Sequence, residues 1–246
     1  ELINHILKAP VDLIWNGGIG TYIKSSPENN SEVGDRANDG LRVDGRELQC
    51  TVVGEGGNLG MTQRGRVEFC LRGGLCNTDF IDNAAGVDCS DHEVNIKILL
   101  NKQVAAGNID VQERNILLES MTEDVASLVL DNNLRQTKSI SLAMARSQQH
   151  HSEYQRYLSW LEQEDQLDRD LEFLPSDEQL TDRINRHQPS WTRPELSVLI
   201  CYSKVLLKEA LAGSDLLSDP WLASTVTKYF PKALVSQFGE AVEAHS

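Results

Sequence analysis

The chain has 246 residues, of which 23 are basic and 37 are acidic, so its formal net charge is −14. This length is sufficient for one or two domains of roughly 100–200 residues, and the 40% hydrophobic and 24% charged contents exclude wholesale disorder. So acidic a chain lacks the basic surface that nucleic acids and anionic lipids require, and no apolar run approaches the ~18 residues of a membrane-spanning helix. We therefore expect neither nucleic acid nor membrane as a partner.

The beginning of the sequence carries no sign of an export signal. Glu1 is followed by neither a basic stretch nor the apolar segment of a signal peptide, and we expect the chain to be a piece of a longer protein. The five cysteines are odd in number and form no CxxC pair, which favours reduced thiols and a cytoplasmic location. They are Cys50, Cys70, Cys76, Cys89 and Cys201.

Glycine divides the sequence into two parts. Fourteen of the 17 glycines precede residue 100, and only Gly107, Gly213 and Gly239 follow it. Glycine allows the tight turns that α/β folds need where strands give way to ligand loops, whereas the glycine-poor remainder has the pattern of successive helices. We predict an α/β part with a parallel sheet over residues 1–100, followed by an all-α region over residues 101–246, with the boundary within about ten residues of Asn101.

Three short apolar runs in the first part each end in a cluster of turn residues. Runs without polar alternation are typical of strands that are buried on both faces of a parallel sheet. Residues 62–71, between the second and third runs, have the composition of a crossover helix and complete a βαβ unit. The polar segment between Ser25 and Gly45 is either a solvated connection or contains a short helix. The predicted strands are Val11–Trp15, Gln49–Val53 and Thr78–Ile81.

The second part is predicted to be a helical bundle or a set of helices packed on the α/β part. Two capping-box pairs, Ser176 with Gln179 and Thr192 with Glu195, predict helix starts. The remaining predicted helices cover His92 to about Val104, Val111 to Leu130, Leu134 to Leu174 with a break near His150-His151, and a last region from Asp219 that is broken at Phe230-Pro231.

Asparagine lies beside glycine or alanine after each predicted strand. In open α/β sheets, ligands bind beyond the carboxyl ends of the strands. Small residues there let a planar ring approach the backbone, and an asparagine amide matches a carboxamide such as that of nicotinamide. Ordinary turn chemistry is the alternative, because Asn-Gly clusters are common in turns. The clusters are Asn16-Gly17-Gly18, Gly56-Gly57-Asn58 and Asn83-Ala84-Ala85-Gly86.

No complete nucleotide-binding fingerprint is present. Gly54 and Gly56 are followed by Leu59 where GxGxxG requires a third glycine, and no GxxxxGK[ST] loop occurs. The pyrophosphate loop of a dinucleotide site would therefore lie upstream of Glu1. Ser90 as N-cap with Glu93 would form a capping box, whose backbone N–H groups would favour an anion such as a substrate carboxylate. A cap without any ligand is the alternative that the sequence leaves open.

Two other chemistries fit the sequence less well. Cys70, Cys76, Cys89 and His92 are spaced C-x5-C-x12-C-x2-H, but the first spacing is too long for a zinc knuckle and Cys70 falls on a predicted helix face. We therefore predict no metal site. A hydrolase triad is not supported, because no GxSxG motif occurs.

Four segments carry a resemblance to a known family. VGEGGNLGMTQRGRVEF, followed by TDFIDNAAGVDCSDHEVNIKI, resembles the large bacterial NAD-specific glutamate dehydrogenases, whose chains are several times longer. PVDLIWNGGIGTYIK and RPELSVLICYSKVLLKEAL are similar to the same family, so the resemblance covers nearly the whole chain. It implies a partial dinucleotide-binding domain with a Rossmann-like sheet over residues 1–100 and the start of a helical C-terminal region over residues 101–246.

A more distant similarity to the hexameric glutamate dehydrogenases implies cofactor-binding residues. Their EGAN turn is matched by Glu55, Gly56, Gly57 and Asn58, and their NAGGV by Asn83 to Val87. The resemblance implies that these turn residues, with Asn58 and Asn83 beside the nicotinamide and its ribose, bind NAD. It also implies that Gly17 and Gly18 lie against the cofactor.

The same similarity implies a substrate-binding pair. The family's S-x-x-E after NAGGV is matched by Ser90 and Glu93, which implies that Ser90 binds the side-chain carboxylate of the substrate and that Val87 lines the same pocket. The chain departs from the pattern at Ala85, which replaces a glycine, and at Leu59-Gly60, where a small residue and proline are usual. These departures bear on the local backbone geometry.

The reaction that the resemblance implies is oxidation of L-glutamate by NAD to 2-oxoglutarate and ammonium, in a full-length protein that forms a homo-oligomer. The family's catalytic lysines and aspartate belong to an upstream substrate domain, and no segment here matches them, since Lys97 and Lys102 do not fit the motif. We expect no catalytic residue in this chain and no activity from it alone. Two alternatives stay open: an acidic helical interaction or regulatory module, and a dehydrogenase of another amino acid, against which the Ser90 hydroxyl argues.

Overall fold

A computed structural model describes residues 2–245, apart from the side chains of residues 217, 218 and 223. Four short strands occur in this part of the chain: β1 (Leu13–Asn16), β2 (Ile23–Lys24), β3 (Val43–Asp44) and β4 (Val52–Glu55). The α-helices are α1 (Leu2–Leu7), α2 (Asn30–Val33), α3 (Gln63–Leu71), α4 (Asp79–Asp82), α5 (Ala84–Ala105), α6 (Val111–Ser120), α7 (Thr122–Ser147), α8 (His151–Gln163), α9 (Asp177–Asn185), α10 (Arg193–Ala212), α11 (Pro220–Tyr229) and α12 (Lys232–Glu243). The chain thus combines a small α/β part with a helical region.

Strands β1 and β4 form the predicted parallel pair, with Leu13 opposite Val52 and Asn16 opposite Glu55. Both strands lie later in the chain than the predicted Val11–Trp15 and Gln49–Val53, so Gly54 and Glu55, predicted as turn residues, belong to β4. Val52 donates its N–H to the carbonyl of Asp12, directly before β1, and the next residue, Val53, donates to the carbonyl of Leu75, both at 2.9 Å. Because successive N–H groups of a strand point to opposite sides, β4 lies between β1 and a one-residue parallel bridge at Leu75. The connection from β4 through α3 to Leu75 is the predicted βαβ unit.

The third predicted strand, Thr78–Ile81, is wrong. The parallel bridge to β4 occurs earlier, at Leu75, and residues Asp79–Asp82 form α4. Thr78 has extended backbone angles at the N-cap position, and two acidic residues follow within the first turn. A threonine cap and acidic residues near a helix N-terminus both favour helix over strand.

A second parallel pair, β2 with β3, flanks the polar segment for which the sequence allows either a solvated connection or a short helix. The segment contains α2 and a 3-10 helix at Arg36–Asn38. Ile23 of β2 also bridges to Met61, just before α3. The segment is therefore a structured connection, tied at both ends to strands.

Several helix predictions are confirmed. Thr62 caps α3 by accepting a hydrogen bond from Gly65 N at 3.0 Å, and Ser176 with Gln179 forms the predicted capping box of α9. Glu195 accepts from the Thr192 N–H at 2.8 Å just before α10 begins at Arg193. The breaks near His150 and at Phe230-Pro231 are also confirmed.

Other helix boundaries are wrong. The predicted helix Val111–Leu130 is two helices that meet at Met121, and the predicted helix from Leu134 begins earlier, at Thr122 in α7. α8 ends at Gln163, before Leu174. The predicted helix start at Ser90 is also wrong, because α5 begins at Ala84 and Ser90 lies in its interior.

The chain divides into two compact units, each with its own apolar core. The first unit comprises the residues up to Asn83 together with Gln136–Lys204, and the second comprises Ala84–Arg135 together with the residues from Val205 onward. The boundary at residue 100, drawn between types of secondary structure, stays a prediction. One core of the first unit contains Ile23, Val43, Val53, Met61 and Phe69, and a core of the second contains Ile96, Leu99, Leu100, Met121 and Leu234. Within residues 2–245, no helix is long and apolar enough to cross a membrane.

Candidate functional site

The turns that follow β1 and β4 lie side by side, because the two strands are parallel neighbours. Gly57 donates its N–H to the carbonyl of Asn16 at 3.0 Å, and Gly18 donates to Asn16 Oδ1 at 3.3 Å. A Cβ atom on Gly57 would collide with the carbonyl oxygen of Gly18, so only glycine fits there. Gly17 and Gly18 are exposed at this edge. The two glycine clusters are thus brought together as the sequence predicts, partly by packing against each other.

The side chain of Trp15 fills the space that a side chain would need at two positions, one in β4 and one in the turn after it. A Cβ atom on Gly54 would lie 2.7 Å from Trp15 Cε3, and one on Gly56 would lie 2.6 Å from Cζ2. The planar ring that approaches this backbone is therefore the indole of Trp15, whose surface is 61% exposed. Trp15 was not among the predicted site residues, although it lies directly before Asn16-Gly17-Gly18 in the sequence.

Glu55 is buried beneath the turn. Its carboxylate accepts hydrogen bonds from Arg66 Nε at 2.6 Å and Nη2 at 2.9 Å, and a third from the Met61 N–H at 2.9 Å. Burial raises the pKa of the Glu55 carboxyl, and the hydrogen bonds from Arg66 oppose that rise. Glu55 is fully buried, and its carboxylate is already hydrogen-bonded to Arg66 and Met61, so it supports the turn from inside the protein.

Two carboxylates of α4 hold the same turn in place. Asp82 accepts the N–H of Glu55 at 3.0 Å, and Asp79 accepts the N–H of Leu59 at 2.7 Å. Leu59 has a positive φ of 55°, a conformation that costs a non-glycine residue roughly 1–2 kcal/mol, so the bond from Asp79 fixes a strained backbone. Burial raises the pKa of Asp82, which hydrogen bonds from Asn77 and Glu55 counteract. Neither acid was among the predicted site residues, because Asp79 lay within the predicted strand and Asp82 began the turn cluster after it.

Asn58 and Asn83 meet at the exposed end of β4. Asn83 Nδ2 donates to Asn58 Oδ1 at 2.5 Å and to the Gly57 carbonyl at 3.3 Å. This arrangement leaves the Asn58 amide nitrogen as a donor and Asn83 Oδ1 as an acceptor, and neither has a hydrogen-bond partner among the contacts of the described residues. One donor beside one acceptor is the pattern that a carboxamide group can pair with.

Val87 and Ser90 lie on α5, within the second compact unit. Val87 is 73% exposed, and Ser90 is also exposed. Glu93, expected at the third helical position of a capping box with Ser90 as N-cap, pairs instead with Lys97 one helical turn later. The capping box is therefore absent, and a role of Ser90 in carboxylate binding would rest on its hydroxyl group rather than on free backbone N–H groups.

The residues weighed as a zinc site have different surroundings. The Sγ atoms of Cys70 and Cys76 are 3.5 Å apart in the core of the first unit. Cys89 is exposed on α5, and His92 is buried and stacks on Tyr229 with ring centroids 4.3 Å apart. In the part of the chain that the structure describes, no three histidine, cysteine or acidic residues are placed to hold a metal ion.

Comparison with known proteins decides the family. Residues 1–143 match the family described as "Bacterial NAD-glutamate dehydrogenase, catalytic domain". The chain belongs to the bacterial NAD-glutamate dehydrogenase family. Residues 189–246 match a second description, "Glutamate dehydrogenase, C-terminal". The resemblance inferred from VGEGGNLGMTQRGRVEF and the neighbouring motifs is thereby confirmed.

Relatives in three bacteria carry the name NAD-specific glutamate dehydrogenase. The chain is 60% identical to the protein of Pseudomonas aeruginosa, 54% identical to that of Halomonas elongata and 46% identical to that of Mycobacterium tuberculosis, each over 245 residues. Each match covers all of this chain but only 15% of the relative. In this bacterial NAD-glutamate dehydrogenase family, the chain therefore corresponds to about 15% of the length of the curated relatives it matches.

Proposed function

We propose that this chain is the part of an NAD-specific glutamate dehydrogenase that holds the nicotinamide end of NAD. The observation that carries the proposal is the Asn58–Asn83 pair at the carboxyl end of β4, beside the glycine turns of β1 and β4. Ligands of open parallel sheets bind at this edge. The parallel order β1–β4–Leu75, with α3 as crossover, agrees with a portion of a Rossmann-like sheet.

The residues at this edge fit a nicotinamide group. Asn58 offers an amide N–H and Asn83 an amide oxygen, which pair with the carbonyl and the amino group of a carboxamide, respectively. Gly17 and Gly18 leave the backbone uncovered, and they are exposed next to the turn that carries Asn58. Gly56 and Gly57 bring that turn close to β1. Bound NAD would accept a hydride from the α-carbon of L-glutamate, and the resulting imine would hydrolyse to 2-oxoglutarate and ammonium.

The remaining named residues have supporting roles in this proposal. Glu55 acts through its ion pair with Arg66, which fixes the turn that carries Asn58. Ser90 donates its hydroxyl to the side-chain carboxylate of glutamate, and Val87 contributes apolar surface next to it. The groups that activate water and ammonia lie elsewhere in the longer protein, which works in the cytoplasm as a homo-oligomer.

Titration of the full-length enzyme with NADH tests the site. Asn58→Ala and Asn83→Ala each remove one partner of the carboxamide, so each should weaken NADH binding by about tenfold, as loss of a hydrogen bond to a ligand does. Asn185→Ala, at an exposed position of α9, is the matched control and should bind like the wild type. NADH fluorescence measures the affinities.

Two results would contradict the proposal in different ways. Wild-type affinity in both Asn58→Ala and Asn83→Ala would remove these residues from the site while leaving the reaction intact. Failure of the full-length wild type to reduce NAD with L-glutamate, followed by absorbance at 340 nm, would remove the reaction itself and favour the interaction module or a dehydrogenase of another amino acid.

A further inference from the structure

A cavity in the first unit has a charge opposite to that of the chain as a whole. It has a volume of about 590 Å³, and its lining contains five arginines against three acidic residues, in a chain whose net charge is −14. Two of these arginines already have carboxylate partners, Arg183 with Glu195 and Arg186 with Asp182. The volume of the cavity is within the range of sites for small molecules. The walls come from α3, α9 and the segments around Ser25, Arg46 and Phe173.

One face of α3, together with the residue after it, forms one wall of the cavity. Residues 64, 67, 68, 71 and 72 line the cavity at the spacing i, i+3, i+4, i+7 and i+8, which is one stripe of a helix. The opposite face carries the buried residues Arg66, Phe69 and Cys70. The cavity is therefore separated by the helix itself from Glu55, which Arg66 holds.

Two arginines on this stripe have no carboxylate partner. No ion pair is found within residues 2–245 for Arg64 or for Arg72, and both side chains are exposed. Arg46 has only a 3.5 Å contact with Asp44, and its side chain is 59% exposed. Glu68 is the acid nearest to Arg64 and Arg72 in sequence. Its carboxylate already accepts hydrogen bonds from the backbone N–H groups of Ser26 and Arg46 and from the Ser26 hydroxyl. These arginines are therefore available to an external anion.

Phe173 holds one of these guanidinium groups in position. The guanidinium carbon of Arg64 lies 4.7 Å from the centre of the Phe173 ring, a cation–π geometry that leaves the donors in the guanidinium plane unused. Phe173 has a positive φ of 53°, which costs a non-glycine residue roughly 1–2 kcal/mol. Phe173 therefore orients a charged group at the edge of the cavity in spite of a strained backbone.

We propose that this cavity binds a small polyanion, a metabolite that carries phosphate or carboxylate groups on a compact body. Arg64 and Arg72 bind its anionic groups by charge-assisted hydrogen bonds, and Arg46 adds a third positive charge. Apolar walls from Leu71 and Phe173 contact the body of the ligand. The site is distinct from the proposed nicotinamide site, and its occupation does not require hydride transfer.

Isothermal titration of the full-length enzyme tests the proposal with two probes, inorganic pyrophosphate and propane-1,2,3-tricarboxylate. Saturating NADH and constant ionic strength are kept throughout, so that phosphate binding in the cofactor site does not contribute. We expect saturable binding of at least one probe, weakened at least about tenfold in the Arg64→Gln/Arg72→Gln variant. The exposed Arg156→Gln variant on α8 should bind like the wild type.

The two probes and a second variant separate the outcomes. Tighter binding of pyrophosphate would identify a phosphate ligand, and tighter binding of the tricarboxylate would identify a carboxylate ligand. Arg64→Lys/Arg72→Lys keeps both charges but loses the planar donor fork, so it should bind the probe with intermediate affinity. Such graded binding would show that the loss of affinity in the glutamine variant does not come from misfolding. Absence of saturable binding of both probes to the wild type, or wild-type affinity in the glutamine variant, would overturn the proposal.

Discussion

At the scale of single residues, the Glu55–Arg66 pair is the most consequential contact beneath the candidate site. Both side chains are buried, and the pair connects β4 to α3 directly under the turn that carries Asn58. A buried charge that loses its partner is strongly destabilising, because it keeps its desolvation cost without the compensating attraction. The resemblance placed Glu55 among the cofactor-binding residues, but the structure gives its carboxylate an internal partner.

We therefore predict that Arg66→Met lowers the free energy of opening of β4 and α3 by about 3–5 kcal/mol. Glu55→Gln should have an effect in the same direction, and the double variant should lose less than the sum of the two single variants, because the two side chains interact directly with each other. Native-state hydrogen exchange of the full-length enzyme measures this at peptides from the two elements.

A surface pair provides the control for this prediction. Arg186→Met breaks the pair of Arg186 with Asp182, whose side chains are 68% and 53% exposed, and should cost less than about 1 kcal/mol. Equal effects of Arg66→Met and Arg186→Met would show that the buried pair does not support the turn.

At the scale of secondary structure, the sequence predicted elements whose signals are local. Ser176 before α9 is a predicted cap that satisfies an N–H group three residues away, so four consecutive residues contain the whole signal. The third strand failed because Thr78–Ile81 resembles a buried run, while contact with β4 is made by Leu75. The start of α5 failed because NAAG resembles a loop, although alanine is a strong helix former.

The exposed residues of the candidate site could be predicted from the sequence, but the buried contacts that support them could not. Its glycines and asparagines were visible in the sequence, because each cluster lies where a strand ends. The groups that hold them were not, because Glu55 meets Arg66 across 11 residues and Leu59 meets Asp79 across 20 residues. Contacts of this kind follow from the tertiary fold and leave no periodic pattern.

The position of Ser90 inside α5 leads to a prediction at this scale. Replacing an interior, exposed serine with alanine should leave the protection of α5 amides unchanged or raise it by about 0.5 kcal/mol, whereas loss of an N-cap costs about 1 kcal/mol. Under the proposed function, Ser90→Ala should still raise the KM for glutamate about tenfold, through loss of one hydrogen bond to the carboxylate.

Hydrogen exchange and steady-state kinetics of the full-length enzyme measure the two effects of Ser90→Ala separately. Ser152→Ala, on the exposed surface of α8, is the control and should change neither quantity. An unchanged KM in Ser90→Ala would exclude Ser90 from the substrate site, and reduced α5 protection would contradict its interior position.

At the scale of the whole molecule, the small sheet determines what this chain can do alone. β1 pairs with β4 on one side, and no strand of the described residues pairs with its other side. Leu13 and Trp15 of β1 are 53% and 61% exposed, which is a large apolar area for the face of a two-stranded sheet. Since the chain spans 15% of its relatives, we expect other segments of the longer protein to cover β1.

The isolated 246-residue chain should therefore differ from the full-length enzyme in two measurable ways. Its exposed β1 should bind the apolar dye 1-anilinonaphthalene-8-sulfonate more strongly, mole for mole. It should not reduce NAD with L-glutamate, because we expect the family's catalytic lysines to lie outside it. Replacing both Leu13 and Trp15 with threonine should lower the dye signal of the isolated chain, whereas the matched changes Leu207→Thr and Trp221→Thr, at exposed positions of α10 and α11, test whether any exposed apolar residue has the same effect. NAD reduction by the isolated chain would place catalytic groups within these residues. It would contradict the proposal that this chain binds the nicotinamide while the catalytic groups lie elsewhere in the longer protein.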